Sequence, residues 1–281
     1  MKRILLIHHQ SSLAKKDKAV KFAESIRRLI SKDIEVMSAD IEDFAFEVSS
    51  KVARVYHVFH EFDIKEFDLV VFRHVSTFVE EARAIAIYCK KLGVKFIDSY
   101  INRPVLDKVS ASFLHWSIGL PVPRTVFGPK SELIARFSDF GDRAIFKDNH
   151  GYKGNLNFVV ESEFEVADIV DKNPTRRFLL QEFIPNEGDL RVLIFNFQPA
   201  LAIERCGDGL SHLNNTSQGG HAQLVPLERV SEAILQDCTR AAYVEDLEVA
   251  GVDIIMDSRT GQHFILEVNQ APQISSGSFV R

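Results

Sequence analysis

Apolar residues in the first hundred positions alternate between two spacings, one suited to strands and the other to helices. Arg3 to His9 is a short apolar run. A helical pattern follows from about Ser12 to Ser31, with Val20, Ala23, Ile26 and Ile30 on one face, and then a second strand from Asp33 to Ser38. Beyond a less regular stretch, Phe67 to Arg73 is almost continuously apolar, as a parallel strand covered on both faces requires. Thr77 and Glu80 have capping-box spacing, Phe78, Ala82, Ile85, Cys89 and Leu92 recur every three or four residues, and Gly93 suits the end of a helix. Lys95 to Asp98 supplies a fourth strand. This alternation predicts an α/β domain built on a small doubly wound parallel sheet with right-handed crossovers.

Asn102-Arg103-Pro104 opens a further helical pattern running to Trp116, with Val105, Val109, Phe113 and Trp116 on one face and a stop at Gly119-Leu120-Pro121-Val122-Pro123. That stop is the expected domain junction. From Thr125 onward short strands and hairpins mix with helical stretches near Ser131 to Phe140, Glu163 to Asp171 and Arg229 to Leu247, which is an α+β pattern. No internal repeat or low-complexity tract interrupts it.

The last apolar pair carries chemistry. Gly251 to Asp257 and His263 to Asn269 flank the turn signal Ser258-Arg259-Thr260-Gly261, and they read as a hairpin whose three-residue loop has Gly261 left-handed. A loop centred on Thr260 sets Asp253 opposite Glu267, and strand alternation brings Asn269 to the same face. Two carboxylates and an amide oxygen together suit a hard cation, above all Mg²⁺ bridged to nucleotide phosphates; read alone, the same acids could simply face water.

Composition narrows the class. The chain has 281 residues, 46% hydrophobic and 26% charged, with a formal net charge of -5, which fits a globular enzyme with more than one core and argues against a broad nucleic-acid footprint. The apolar run at the N-terminus is too short for a signal peptide and no segment approaches membrane-spanning length, so a cytoplasmic location is expected. Cys89, Cys206 and Cys238 are odd in number and far apart, against a disulfide framework. His115, His150 and His221 lack metal-ligand spacing, which disfavours zinc, and there is no Gly-x-Ser-x-Gly elbow.

Other polar residues stand at strand ends. Lys147 ends the run Arg143 to Lys147, ahead of a loop with Gly151 and Gly154; such a lysine can meet phosphate oxygens or stay solvated. The strand Phe178 to Ile184 carries Gln181 and Glu182 near its end, where backbone groups can meet an adenine edge, and Asp189 follows as a ribose acceptor, a loop carboxylate or a partner of Arg191. The pair Arg191 to Asn196 and Ala200 to Arg205 turns at Phe197-Gln198-Pro199. Arg205 at its end suits an anion or a surface ion pair.

Taken in order, Asp107-Lys108, Leu120 to Thr125, Phe146-Lys147, Gln181-Glu182-Phe183-Ile184, Asp189-Leu190-Arg191, Ala202 to Arg205, Asn215 with Gly219-Gly220, Gly251-Val252-Asp253 and Glu267-Val268-Asn269 resemble the ATP-grasp superfamily. The likeness is to its RimK-like branch of glutamate ligases and other carboxylate-amine ligases, and it covers essentially the whole chain. It implies an α/β domain over residues 1–100, then two ATP-grasp subdomains over 101–176 and 177–281 that clasp ATP. It further implies Lys108 and Lys147 on phosphates, Gln181, Glu182 and Phe183 at adenine, Asp189 at ribose, and Asn215 in a nucleotide loop. Asp253, Glu267 and Asn269 would be ligands of Mg²⁺, or of Mn²⁺ in its place, with Arg205 beside the γ-phosphate. Leu213 and Gln218 stand where relatives carry basic residues, so that loop is expected to lack their phosphate or acidic-substrate contacts, and Gln270-Ala271-Pro272-Gln273 departs from their usual Ser-x-Pro-Gly, so an altered acceptor pocket is expected.

The activity implied is ATP-dependent amide formation through an acyl phosphate, with Lys147 and Arg205 in catalytic roles. The substrates would be an amino acid, peptide or protein carrying a carboxylate and an amine acceptor, without nucleic acid or membrane, and with self-association as relatives show. The rival readings are a ligase that modifies a ribosomal peptide and a nucleotide-binding scaffold without turnover.

Overall fold

A computed structural model describes residues 1–9, 23–24, 26–28, 30–102, 106–151, 155–206, 221–270 and 272. Contacts divide the chain into two compact units, Met1–Val105 with Asp246–Glu248, and Leu106–Glu245 with Val249–Arg281. The division falls a few residues beyond the boundary expected at residue 100.

The first unit is built on four parallel strands, β1 (Lys2–His8), β2 (Ile34–Asp40), β5 (Leu69–Arg73) and β6 (Lys95–Ile97), in the order β2-β1-β5-β6. Leu5, Ile7, Val70 and Phe72 are buried in its core with Ala82, Ile85, Ala86 and Cys89 of helix α1 (Val79–Leu92). Most of the helix expected from Ser12 to Ser31 lies outside the described residues. The capping box at Thr77 and Glu80 does not form: a 3-10 turn over Ser76–Phe78 leads into α1, and no side chain caps it. Gly93 does end α1 in the left-handed region, with φ of 74°. The irregular stretch before β5 holds an unexpected hairpin, β3 (Phe44–Val48) with β4 (Ala53–His57).

The second unit opens with α2 (Lys108–Ser117), which starts later than expected because Asp107 is its N-cap, accepting from the Ser110 N–H at 2.8 Å. Its apolar stripe is not its buried face: Phe113 and Trp116 are each 67% exposed while His115 is buried against Glu245. A four-stranded sheet follows, from β7 (Thr125–Phe127), β8 (Ala144–Asp148), β9 (Asn157–Val160) and β10 (Phe178–Glu182), in the order β7-β10-β8-β9. Because β10 sits inside this sheet, the change of sheet falls after Glu182 rather than after residue 176. Helices α3 (Lys130–Ala135) and α4 (Glu163–Lys172) cover the face carrying Phe146, Phe178 and Leu180, and alternation turns Lys147, Leu179 and Gln181 to the opposite face.

Five antiparallel strands form the last sheet: β11 (Asp189–Phe195), β12 (Gln198–Cys206), β13 (His221–Val225), β14 (Val249–Met256) and β15 (His263–Asn269), in the order β13-β12-β11-β14-β15. Helix α5 (Glu232–Val244) packs on it through Ile234, Cys238, Ala241 and Ala242. The β11–β12 turn is Asn196-Phe197, both at positive φ, two residues long rather than centred on Gln198. All three cysteines are free, and no described helix is long and apolar enough to cross a membrane.

Candidate active site

Ladder register assembles the acidic site. Asp253 pairs with Glu267 and Gly251 with Asn269 across β14 and β15, so the three oxygen-bearing side chains share a face. Asn269 Nδ2 donates to Asp253 Oδ2 at 3.1 Å and to the Gly251 carbonyl at 3.2 Å, leaving its Oδ1 to accept or to coordinate. The hairpin loop is one residue longer than expected, Ser258 to Gly261, closed by the Asp257 N–H to Gln262 carbonyl bond at 2.8 Å; Gly261 has φ of 73°.

Next to these oxygens lies a set of four charges. Asp253 is 5% exposed and accepts from Arg191 Nε at 2.6 Å and Nη2 at 2.7 Å, with Arg205 Nη2 3.1 Å away. Arg205 also grips Asp189 through Nε and Nη2, both at 2.6 Å. Burial works against a charged Asp253, but Arg191 and Arg205 outweigh it and hold the carboxyl below its usual range. Burial pushes the Asp189 carboxyl up to about 6 against the pull of Arg205. The Arg205 guanidinium, buried yet faced by Asp253 and Asp189, is held charged more firmly than usual. Asp189 is therefore a strand residue with both oxygens on Arg205, not a loop carboxylate or a partner of Arg191. Arg191, read from sequence only as a candidate partner of Asp189, instead clasps Asp253 on the neighbouring strand.

Lys147 approaches from the four-stranded sheet. Its Nζ donates to Gln181 Oε1 at 2.9 Å. Burial lowers its ammonium to about 8; Glu267 favours the charge and Lys108 opposes it, so both lie within electrostatic reach of Lys147. Lys108 is the first residue of α2, and its Nζ donates to the Gly151 carbonyl. Asn149, a residue missed from sequence, fixes that helix start by accepting from the Val109 N–H at 3.0 Å. Glu182 ends β10, and its N–H donates to the Arg124 carbonyl at 2.9 Å. The Arg143 guanidinium lies 3.9 Å over the Phe183 ring. Asn215, Leu213, Gln218 and the segment from Tyr152 to Gly154 lie outside the described residues.

Asp253, Glu267 and Asn269 supply two carboxylates and an amide oxygen on one sheet face, a donor set that fits Mg²⁺ or Mn²⁺. Arg191 and Arg205 pair directly with Asp253, and the Lys147 ammonium feels the Glu267 carboxylate, so cations meet both carboxylates of the set.

The sequence model of the RimK-like ATP-grasp domain matches residues 107–279. The chain is 34% identical over 196 residues to tetrahydromethanopterin:alpha-L-glutamate ligase of Methanosarcina acetivorans, covering 59% of each protein. It is 25% identical over 259 residues to a probable alpha-L-glutamate ligase of Marinobacter nauticus, covering 88% of this chain and 84% of that one. Among solved structures, ATP-grasp ligase PsnB complexed with minimal precursor superposes with a TM-score of 0.72 at 17% identity, over 97% of this chain and 91% of that one, a likeness of fold. The sheets define an ATP-grasp fold. The chain belongs to the RimK-like ATP-grasp family, as its motifs implied.

Proposed function

We propose that the chain is an ATP-dependent carboxylate-amine ligase. It would transfer the γ-phosphoryl group of ATP to a carboxylate, and an amine would then displace phosphate from the acyl phosphate to leave an amide. The observation that carries this reading is the register that sets Asp253, Glu267 and Asn269 on one sheet face, with Glu267 acting electrostatically on the Lys147 ammonium. Mg²⁺ held by those three residues would neutralise β- and γ-phosphate charge. Lys147 and Lys108 would hold the phosphates, and Arg205 would stabilise charge on the transferring group. Glu182 and Phe183 would border adenine, with Asp189 at ribose and Asn215 at the nucleotide. The glutamate in the relatives' names favours a free amino acid as one substrate.

For domain organisation, we infer a doubly wound N-terminal domain followed by two ATP-grasp subdomains that change over after Glu182. The test is ADP release from Mg·ATP with L-glutamate and a panel of carboxylic acids and amines. Release that requires both an acid and an amine supports the ligase. Nucleotide binding without release for any pair would leave a scaffold.

A further inference from the structure

Three adjacent strands, β8, β10 and β7, bring Lys147, Gln181 and Thr125 together on the sheet face away from the helices, Gln181 directly opposite Thr125 and diagonal to Lys147, which faces Leu179. Lys147 Nζ donates to Gln181 Oε1 at 2.9 Å, Gln181 Nε2 donates to Thr125 Oγ1 at 2.8 Å, and Thr125 Oγ1 donates to the Pro123 carbonyl at 2.9 Å. Direction is fixed at both ends, because an ammonium only donates and a carbonyl only accepts. Turning the Gln181 amide over would set its NH₂ against the ammonium and cost the Thr125 hydroxyl its carbonyl partner. Gln181 is 5% exposed, so water does not easily replace a lost bond.

We propose that Gln181 is a positioning residue. It acts on the nucleotide through Lys147, whose ammonium it aims, with Thr125 holding the amide in register, and it does not itself contact adenine. Lysine is a point charge on a flexible stem and needs such a restraint to present one direction. Released from Gln181, the ammonium would be free to swing toward Glu267, the carboxylate that favours its charge, and compete with a divalent ion there. This inference rests on the nucleotide site proposed above.

A double-mutant cycle on the full chain tests it, with Mg·ADP affinity read by calorimetry. Gln181→Leu should weaken binding about tenfold in the native background and less than about twofold beside Lys147→Met, since coupled residues are not additive. Thr125→Val should show the same dependence on Lys147 with a smaller loss, and Thr125→Ser should restore native affinity. Equal losses in both Lys147 backgrounds would overturn the inference, because Gln181 would then act independently of the lysine. Where Gln181→Leu fails to fold, the Thr125 cycle decides by the same criterion. A native chain that binds no Mg·ADP would instead remove the functional reading on which the inference stands.

Discussion

Asp253 and Glu267 face each other across the last hairpin but stand in unlike electrostatic surroundings. A register shift beside Asp253 leaves Leu266 as the extra residue and sets Glu267 opposite it. Asp253 is clasped by Arg191 and Arg205, whereas Glu267 makes no ion pair among the described residues. Asp253→Asn therefore leaves Arg191 without its countercharge, while Arg205 keeps Asp189, and should cost about 3–5 kcal/mol of stability along with ADP formation. Glu267→Gln should abolish ADP formation and change stability by less than about 0.5 kcal/mol. Denaturant unfolding beside an ADP assay checks both; equal destabilisation would place Glu267 in the buried charge set.

Gly251 has no room for a side chain. A Cβ there would stand 2.8 Å from the Pro272 Cβ and 3.4 Å from the Arg191 Cδ. Gly251→Ala must displace Pro272, the approach to Arg191 being ordinary contact, at a cost of about 1–3 kcal/mol. A shift of the Gly251 backbone bears on the proposed metal site, since the Gly251 carbonyl accepts from Asn269. The variant should unfold at lower denaturant and need more Mg²⁺ for half-maximal ADP formation. An unchanged Mg²⁺ requirement would mean that the displacement stops short of the ligands.

The hairpin was legible because strand alternation and turn chemistry are local signals, yet its register emerged from two offsets that cancel. The sequence suggests a loop centred on Thr260, the structure builds a four-residue loop, and the bulge at Leu266 returns Glu267 to Asp253. What stayed hidden is long-range. Nothing near Gln181 says that β10 enters between β7 and β8, so its bonds to Lys147 and Thr125 could not be read. The β3–β4 hairpin escaped for lack of a glycine turn; Ser49 closes it by accepting from the Lys51 and Val52 N–H groups. The stripe with Phe113 and Trp116 misled because helical periodicity marks a face without saying what covers it.

Asn149 links the two lysine-bearing segments, since it directly follows β8 and its side-chain oxygen accepts from the Val109 N–H at the start of α2. With Asp107 it satisfies two N–H groups of that first turn. Asn149→Ala should cost about 1 kcal/mol as a lost cap. Because Lys108 begins the same turn, Mg·ADP binding should weaken as well. Fraying of α2, measured as faster amide exchange over its first turn, should accompany the loss of affinity. Faster exchange with native affinity would separate Lys108 from the nucleotide.

Lys147 gives the site a defined pH response. Burial sets its ammonium at about 8, below the ordinary 10.5, so between those values the unfolded chain holds a proton that the native chain has released. Its contribution to stability therefore rises with pH across that window. Nucleotide binding runs the other way, because phosphate oxygens favour the charged amine. Above pH 8 binding should draw a proton from solvent, and affinity for Mg·ADP should fall by at most about tenfold per pH unit. Below that pH the Lys147 contribution should level off. Calorimetry in buffers of different ionisation enthalpy measures the proton uptake directly, and Lys147→Met should eliminate it. Uptake that persists in this variant would assign the titration to another group.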